Sequence, residues 1–256
     1  MPVFGFIGVG ELALYTIKGV RRGGYRDSIL LSPRNRENSA WLAQHLDCEV
    51  QADNQAVVDN SDLVVIATRP PQCLETLSGL EWEAGQLLVS VVAGIEIEQL
   101  HSALPREIEV VRAMPVSSAE TGYSPTLIHP DNSIVAEFFG YCGQSITVSE
   151  ESTFAQGSVL ACVYSWFFAL FEELIQAIEG PVLPPELAAQ LVMGMARGAA
   201  ELALANPERS PGEIARSIAT EGTYSKLGLD LLEQNRAFAS WREATELLGS
   251  KFKVES

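Results

Sequence analysis

The stretch Val3-Phe4-Gly5-Phe6-Ile7-Gly8-Val9-Gly10-Glu11-Leu12-Ala13 decides the fold. Its apolar start predicts a β-strand, and a helical pattern follows from Leu12 to Val20. Between them stands Gly-x-Gly-x-x-Ala, in which the first glycine permits a tight turn, the second lets the backbone approach a pyrophosphate, and the alanine allows close helix–strand packing. The pyrophosphate would rest on the free N–H groups of the helix N-terminus. The alternative is an ordinary strand–turn–helix rich in small residues.

Composition excludes several classes of protein. The 256 residues carry a net charge of −16, which repels nucleic acid and anionic membranes, so we expect neither as a partner. Four scattered cysteines and three histidines predict no disulfide framework and no metal site, and they suit a reducing cytoplasm. No basic segment typical of a signal peptide precedes the first strand. The longest apolar run, residues 159–171, is too short for a bilayer and predicts a buried helix.

Strand and helix patterns alternate through the first half of the chain. Strands are predicted at 28–32, 63–67, 87–92 and 109–112, with 126–128 and 145–148 closing the sheet, and a helix is predicted at 37–46. Repeated βαβ units predict an α/β fold with a doubly wound, Rossmann-type parallel sheet in residues 1–149. Residues 150–256 form a predicted all-α domain with helices at 150–179, 184–205, from 210 onward, and 227–248.

The end of the second strand indicates which nicotinamide cofactor the turn binds. An NAD enzyme usually carries an acidic residue there for the ribose 2′-hydroxyl, whereas this chain has Ser32-Pro33-Arg34-Asn35-Arg36. A serine hydroxyl and two guanidinium groups can hold a 2′-phosphate by charge-assisted hydrogen bonds. We therefore expect NADP(H) in preference to NAD. The alternative is a solvated basic loop.

Several further motifs match one family in order along the chain. They are Gly5–Gly10, Ala67-Thr68-Arg69-Pro70-Pro71-Gln72, Ser90–Ile95, Arg112-Ala113-Met114-Pro115, Leu183–Glu186 with Ala188–Gln190, and Gly228–Glu233. On these the chain resembles the pyrroline-5-carboxylate reductases over nearly its whole length. The resemblance implies NAD(P)H-dependent reduction of a cyclic imine to proline, within proline biosynthesis. It also implies a homodimer or higher homo-oligomer whose C-terminal helices interlock, so that two chains share a substrate site.

The expected cofactor contacts lie where strands end. The carboxyl edge of an open parallel sheet binds ligands, so the loops after the later strands would line the nicotinamide side. The full expected set is Gly8, Gly10, Glu11, Leu12, Ser32, Arg34, Arg36, Ala67, Thr68, Arg69, Pro70, Ala93, Gly94, Met114 and Pro115.

The expected substrate site departs from the family pattern. Residues 116–119 lack the family's asparagine after Met-Pro, residues 160–166 lack its glycines and proline, and Glu221 adds an anion to the loop that cradles the substrate carboxylate. Glu11 likewise replaces an asparagine beside the pyrophosphate. The resemblance implies substrate contacts at Ser117, Cys162, Gly222, Thr223 and Ser225. The candidate catalytic hydroxyls are Ser225, Thr223 and Tyr164, although Tyr164 also fits a core aromatic residue.

Three functions stay open at this point. The first is reduction of pyrroline-5-carboxylate, and the second is reduction of a different imine or carbonyl substrate on the same fold. The third is a non-catalytic NADP-binding dimer.

Overall fold

The computed structural model describes residues 2–252. Its sheet contains eight strands: β1 (Phe4–Ile7), β2 (Ile29–Leu31), β3 (Glu49–Val50), β4 (Leu63–Ile66), β5 (Leu87–Ser90), β6 (Glu109–Met114), β7 (Ser124–His129) and β8 (Gly143–Thr147). The order across the sheet is β3-β2-β1-β4-β5-β6-β7-β8. This confirms the doubly wound Rossmann-type prediction, and β3 is an addition too short to show in the sequence.

One pair of neighbouring strands differs from an all-parallel sheet. β6 and β7 are antiparallel, whereas the other paired strands of the described sheet run parallel. The connection between them, residues 115–123, is shorter than the dozen or so residues that a parallel crossover needs. It contains only a 3-10 turn, Ser117–Thr121.

The helices are α1 (Glu11–Gly23), α2 (Arg36–Leu46), α3 (Asn54–Asp59), α4 (Pro70–Ser78), α5 (Ile97–His101), α6 (Ser133–Gly140), α7 (Glu151–Ile178), α8 (Pro185–Leu204), α9 (Pro211–Ile218), α10 (Tyr224–Gln234) and α11 (Ala237–Gly249). The single helix predicted over 227–248 is wrong. The chain breaks between α10 and α11 at Arg236, whose φ of 56° is left-handed. No glycine or proline marks this break in the sequence.

Side chains of the sheet alternate between two cores. Val65 of β4 packs in one cluster with Ile17 of α1, and its neighbour Val64 packs in the other with Leu77 of α4. All four are fully buried. Both faces of the sheet are therefore covered, as the continuous apolar strands predict.

Helix α1 packs closely on the 3-10 turn because residue 19 is glycine. A Cβ at Gly19 would lie 2.0 Å from the carbonyl oxygen of Ala119. Beside this contact Lys18 Nζ donates to Glu120 Oε1 at 2.9 Å. The helix that begins at the glycine turn is thus joined directly to the loop that follows β6.

The chain divides into two compact units, residues 2–161 together with Phe252, and residues 162–251. The predicted boundary after residue 149 lies in the connection between β8 and α7, whereas the first compact unit continues through Ala161 of α7. That boundary stays a prediction.

The helical unit leaves much apolar surface exposed. Phe167, Phe168 and Leu170 are exposed, as is Leu160 at the end of the first unit, so the expectation of a buried helix at 159–171 is wrong for a single chain. The run also belongs to a 28-residue helix, which removes the argument that it is too short for a bilayer. By length and composition alone, Glu151–Ile178 and Pro185–Leu204 would both be able to cross a membrane.

Candidate functional site

The register of the parallel strands places the ends of β1, β4 and β5 in one row with Arg112, two residues before the end of β6. Ile7 of β1 lies beside Ile66 of β4, Ile66 beside Ser90 of β5, and Ser90 beside Arg112 of β6. Since neighbouring strands are about 4.8 Å apart, the loops that follow them occupy about 14 Å of one edge. Strand order reverses between β1 and β4, and ligands of open α/β sheets bind in the crevice at such a point.

The turn after β1 is shaped by its two glycines. Gly8 has a φ of 92°, and a Cβ there would lie 2.7 Å from the carbonyl oxygen of Ala67. Gly10 caps α1 without any side-chain hydrogen bond, and a Cβ at that position would meet no atom within 4 Å. No protein atom therefore crowds the backbone at Gly10, where α1 begins. This is the geometry that an approaching pyrophosphate requires.

Polar side chains after β2 hold this turn in place. Ser32 Oγ accepts a hydrogen bond from the Gly8 N–H at 3.0 Å. Asn35 and Asn38 donate to the carbonyl oxygen of Val9 at 2.8 and 3.1 Å, and Asn35 also caps α2. Sequence reasoning missed both asparagines. The helix-cap position of Asn35 was the one available signal.

A cavity of about 700 Å³ opens at this crevice. Eight of the expected cofactor residues line it: Gly8, Gly10, Ser32, Arg34, Arg36, Ala67, Thr68 and Arg69. It is also lined by Ile7, Val9, Asn35, Asn54, Gln72 and Thr76, which were not expected. Glu11, Leu12 and Pro70 are not among its lining residues, although Glu11 and Pro70 each directly follow one.

The charges of the cavity fit a phosphorylated ligand. Its lining residues include Arg34, Arg36 and Arg69 together with Ser32, and none of them is acidic. Arg34 Nη1 also donates to Gln72 Oε1 at 3.3 Å, which places its guanidinium at the start of α4. In a chain of net charge −16, a crevice without carboxylates suits an anion.

The carboxylate of Glu11 interacts with a neighbour on its own helix. It accepts a hydrogen bond from the Tyr15 hydroxyl, one turn further along α1, and thereby raises the pKa of that phenol. Glu11 is exposed and stays outside the cavity lining.

The loops after β5 and β6 lie on the same edge but outside that cavity. Ala93 and Gly94 are exposed, and Gly94 has a φ of 75°. Met114 ends β6, Pro115 is buried, and Ser117 begins the 3-10 turn. The register places them beyond β4, on the side expected to hold the nicotinamide.

The remaining expected residues lie in the helical unit in two groups. Cys162 and Tyr164 are on α7, where the Tyr164 ring packs edge-on against Phe168 at 5.3 Å between centroids. Gly222, Thr223 and Ser225 surround the start of α10.

The loop before α10 uses one of its hydroxyls locally. Thr223 Oγ1 donates to the carbonyl oxygen of Thr220 at 2.7 Å and accepts from the Lys226 N–H at 3.2 Å, so it serves as a helix cap. Ser225 is exposed and makes no side-chain hydrogen bond within the described residues. The hydrogen bond to Asp230 raises the pKa of Lys226, and the nearby charge of Glu221 adds to that effect.

Comparison with known proteins agrees with this arrangement. Residues 3–94 match the family model described as NADP oxidoreductase, coenzyme F420-dependent, and residues 150–249 match the model described as pyrroline-5-carboxylate reductase dimerisation. Pyrroline-5-carboxylate reductase of Haemophilus influenzae is 27% identical over 243 residues, covering 89% of this chain and 88% of the relative.

Two solved structures share the fold over almost the whole chain. 1-Pyrroline-5-carboxylate reductase from Streptococcus pyogenes has a TM-score of 0.86 at 23% identity, with 98% of each chain covered. Pyrroline carboxylate reductase from Plasmodium falciparum, solved with NADP bound, has a TM-score of 0.87 at 20% identity, covering 98% of this chain and 97% of the other. The match to a dimerisation domain supports homo-oligomerisation. The sheet, the glycine turn, the helical unit and the relatives agree, and the family models and curated relatives support membership of the pyrroline-5-carboxylate reductase family.

Proposed function

We propose that this chain is an NADPH-dependent oxidoreductase that reduces the C=N bond of pyrroline-5-carboxylate to give proline, and so serves proline biosynthesis in the cytoplasm. The observation that carries the proposal is the arginine-lined cavity at the Gly8–Gly10 turn, in a chain of this family. The names of the relatives supply the substrate and the cofactor.

Each part of the cofactor has its own binding residues in this proposal. The N–H groups after Gly10 hold the pyrophosphate, and Ser32, Arg34 and Arg36 hold the 2′-phosphate that distinguishes NADP from NAD. NADPH supplies the hydride when bound. The chain has to orient the reacting groups and exclude water, which is the main contribution a protein makes to such a transfer.

The loops beyond β4 form the proposed nicotinamide and substrate wall. The backbone of these loops has few hydrogen-bond donors and would pack against the apolar face of the nicotinamide ring. The residues concerned are Ala93, Gly94, Met114 and Pro115, and Ser117 follows at the start of the 3-10 turn. In the helical unit, Cys162 lies on α7 and Gly222 lies within the carboxylate-binding loop in this proposal. All of them are assigned by the family motif and by strand-end position.

Ser225 is the preferred donor of the proton to the imine nitrogen. The Thr223 hydroxyl donates to the Thr220 carbonyl, so its proton is engaged and it serves better as a cap and substrate contact. Tyr164 remains the second candidate donor. Replacement of Ser225 by alanine should lower kcat, while the same change at Thr223 should also disturb α10.

The proposed assembly is a homodimer. Apolar side chains on α7 and α8, including Phe167, Phe168, Leu187, Leu191 and Met195, are exposed in the single chain. A second copy of the chain would cover these side chains, which supports a homodimer. In this proposal the partners are a second copy and a small-molecule substrate, and neither a membrane nor nucleic acid is a partner. Light scattering should give at least twice 27.7 kDa, and the mass of one chain would contradict the dimer.

The first experiment measures NADPH oxidation by the purified protein with pyrroline-5-carboxylate and with cyclic imines that lack the carboxylate. Rapid turnover of pyrroline-5-carboxylate supports the proposal. Turnover of the other imines alone favours reduction of a different imine, for which the exposed Glu221 near the carboxylate loop is the specific observation. Tight NADPH binding without any turnover favours a non-catalytic NADP-binding dimer.

A further inference from the structure

One carboxylate joins three separate segments of the sheet domain. Glu151, the first residue of α7, accepts hydrogen bonds on Oε1 from Arg112 Nη1 at 2.8 Å and from the Ile97 backbone N–H at 2.9 Å. Ile97 begins α5, three residues after Gly94, and Arg112 stands two residues before Met114 in β6. A single oxygen thus joins the start of α5, directly after the β5 loop, and strand β6, just before its end, to α7.

Arg112 is the buried member of this pair, whereas the Glu151 side chain keeps 23% of its surface exposed. Arg112 is 4% exposed, and its guanidinium carbon lies 4.5 Å from the centre of the Phe154 ring, on the turn of α7 next to Glu151. Glu151 is the one carboxylate that pairs with Arg112 among the described residues, while Arg112 Nε has no hydrogen-bond partner there.

Such a pair is a poor device for stability alone. Desolvation of two charges offsets most of their attraction, and apolar residues of similar volume often serve a core equally well. Its directional hydrogen bonds do fix the geometry of the groups they join. The geometry fixed here is that of the two loops assigned to the nicotinamide side.

We propose that Glu151 is a positioning residue for hydride transfer, which sets the loops at Gly94 and Met114 at their working separation through Ile97 and Arg112. The inference rests on the proposed function, because that function makes these loops the wall of the reacting centre. A misplacement of about 1 Å in such a wall can lower the rate by about 100-fold.

Four variants separate positioning from stability. Glu151→Ala removes both hydrogen bonds, and Glu151→Gln keeps an acceptor of the same size without the charge. The paired change Arg112→Met with Glu151→Leu removes both charges together, so that neither is left unpaired, and should restore folding but not the contact to the Ile97 N–H. Glu150→Gln is the matched control, since Glu150 is exposed and its side chain makes no hydrogen bond among the described residues.

The kinetic readout is kcat and KM for pyrroline-5-carboxylate beside the Kd for NADPH. We expect kcat to fall about 10- to 100-fold in Glu151→Ala and in the paired variant, with partial recovery in Glu151→Gln and no change in Glu150→Gln. The Kd for NADPH should stay within about threefold, because the arginine-lined cavity is untouched. A folded paired variant with wild-type kcat would overturn the proposal.

Hydrogen exchange on the protein without cofactor gives a readout independent of turnover. Amides at 93–97 and 113–118 should lose protection in the paired variant while those of β1 and α1 keep theirs. Unchanged protection at both loops would also overturn the proposal. If the wild type reduces no imine, the proposed function fails, and the exchange result still decides whether Glu151 holds the loops.

Discussion

Replacement of each turn glycine by alanine should separate folding from cofactor binding. At Gly8 the new methyl would lie 2.7 Å from the Ala67 carbonyl oxygen, in a residue whose φ is 92°. At Gly10 the backbone is already extended, with φ −80° and ψ −171°, and the methyl would meet no protein atom within 4 Å. The two variants add the same group to the same turn.

The expected magnitudes follow from these environments. The left-handed conformation costs about 1–2 kcal/mol for a residue with a Cβ, and the close contact adds about 1–3 kcal/mol, so Gly8→Ala should lower the free energy of unfolding by about 2–5 kcal/mol. For Gly10→Ala, a gain of about 0.4–1 kcal/mol from the restricted unfolded chain opposes a loss of similar size at the helix cap. Its stability should therefore change by less than about 1 kcal/mol.

The substitution with the smaller effect on stability, Gly10→Ala, should be the one that directly obstructs NADPH binding. The Gly10→Ala methyl occupies space assigned to the pyrophosphate, and an overpacking cost of about 1–3 kcal/mol raises the Kd for NADPH about 5- to 150-fold. Urea unfolding and NADPH fluorescence titration measure the two quantities on the same samples. Wild-type NADPH affinity in Gly10→Ala would refute the pyrophosphate assignment, and wild-type stability in Gly8→Ala would refute the packing argument.

Three further perturbations test other parts of the molecule. Replacing Arg34 and Arg36 together by alanine should raise the Kd for NADPH by about 10-fold or more and leave the Kd for NADH nearly unchanged, because only the 2′-phosphate needs the two arginines. Titration with both cofactors measures this, and an equal rise of both Kd values would contradict the 2′-phosphate assignment. Gly19→Ala should destabilise the protein by about 1–3 kcal/mol in urea unfolding, since its Cβ would lie 2.0 Å from the Ala119 carbonyl oxygen. Hydrogen bonds from Ser210, the residue that caps α9, hold the pKa of Glu213 below its ordinary range. The ionised carboxylate therefore stabilises the fold above about pH 4.3, and this stabilisation is lost as pH falls through the lowered pKa. Glu213→Gln should therefore lower the melting temperature at pH 7, and the difference from wild type should shrink in acid; a constant difference would exclude the linkage.

The features predicted correctly are those whose causes are local in sequence. The strand that enters Gly8-Val9-Gly10 identifies the glycine turn. The spacing of a βαβ unit then locates the end of the second strand, where the segment at Arg34 contains no acidic residue. The continuous apolar runs at β4 and β5 identify strands that are covered on both faces.

The features that were missed depend on residues far apart in the chain or on a second copy. The hydrogen bond of Asn35 to Val9 spans 26 residues, and that of Arg112 to Glu151 spans 39. The break at Arg236 is carried by no helix-breaking residue. The apolar run at 159–171 was misread as core, because composition alone does not distinguish surface buried within a chain from surface that another chain would cover.

The acid-free cavity has a kinetic consequence for a protein this acidic. At long range a net charge of −16 slows the approach of an anionic dinucleotide, whereas the arginines attract it only at close range. Raising the ionic strength to 0.1 M shortens the Debye length to about 10 Å, which screens the distant acids more than the contacts within the crevice. The association rate constant of NADPH should therefore rise with added salt at low ionic strength, the opposite of the usual response of a basic nucleotide-binding site.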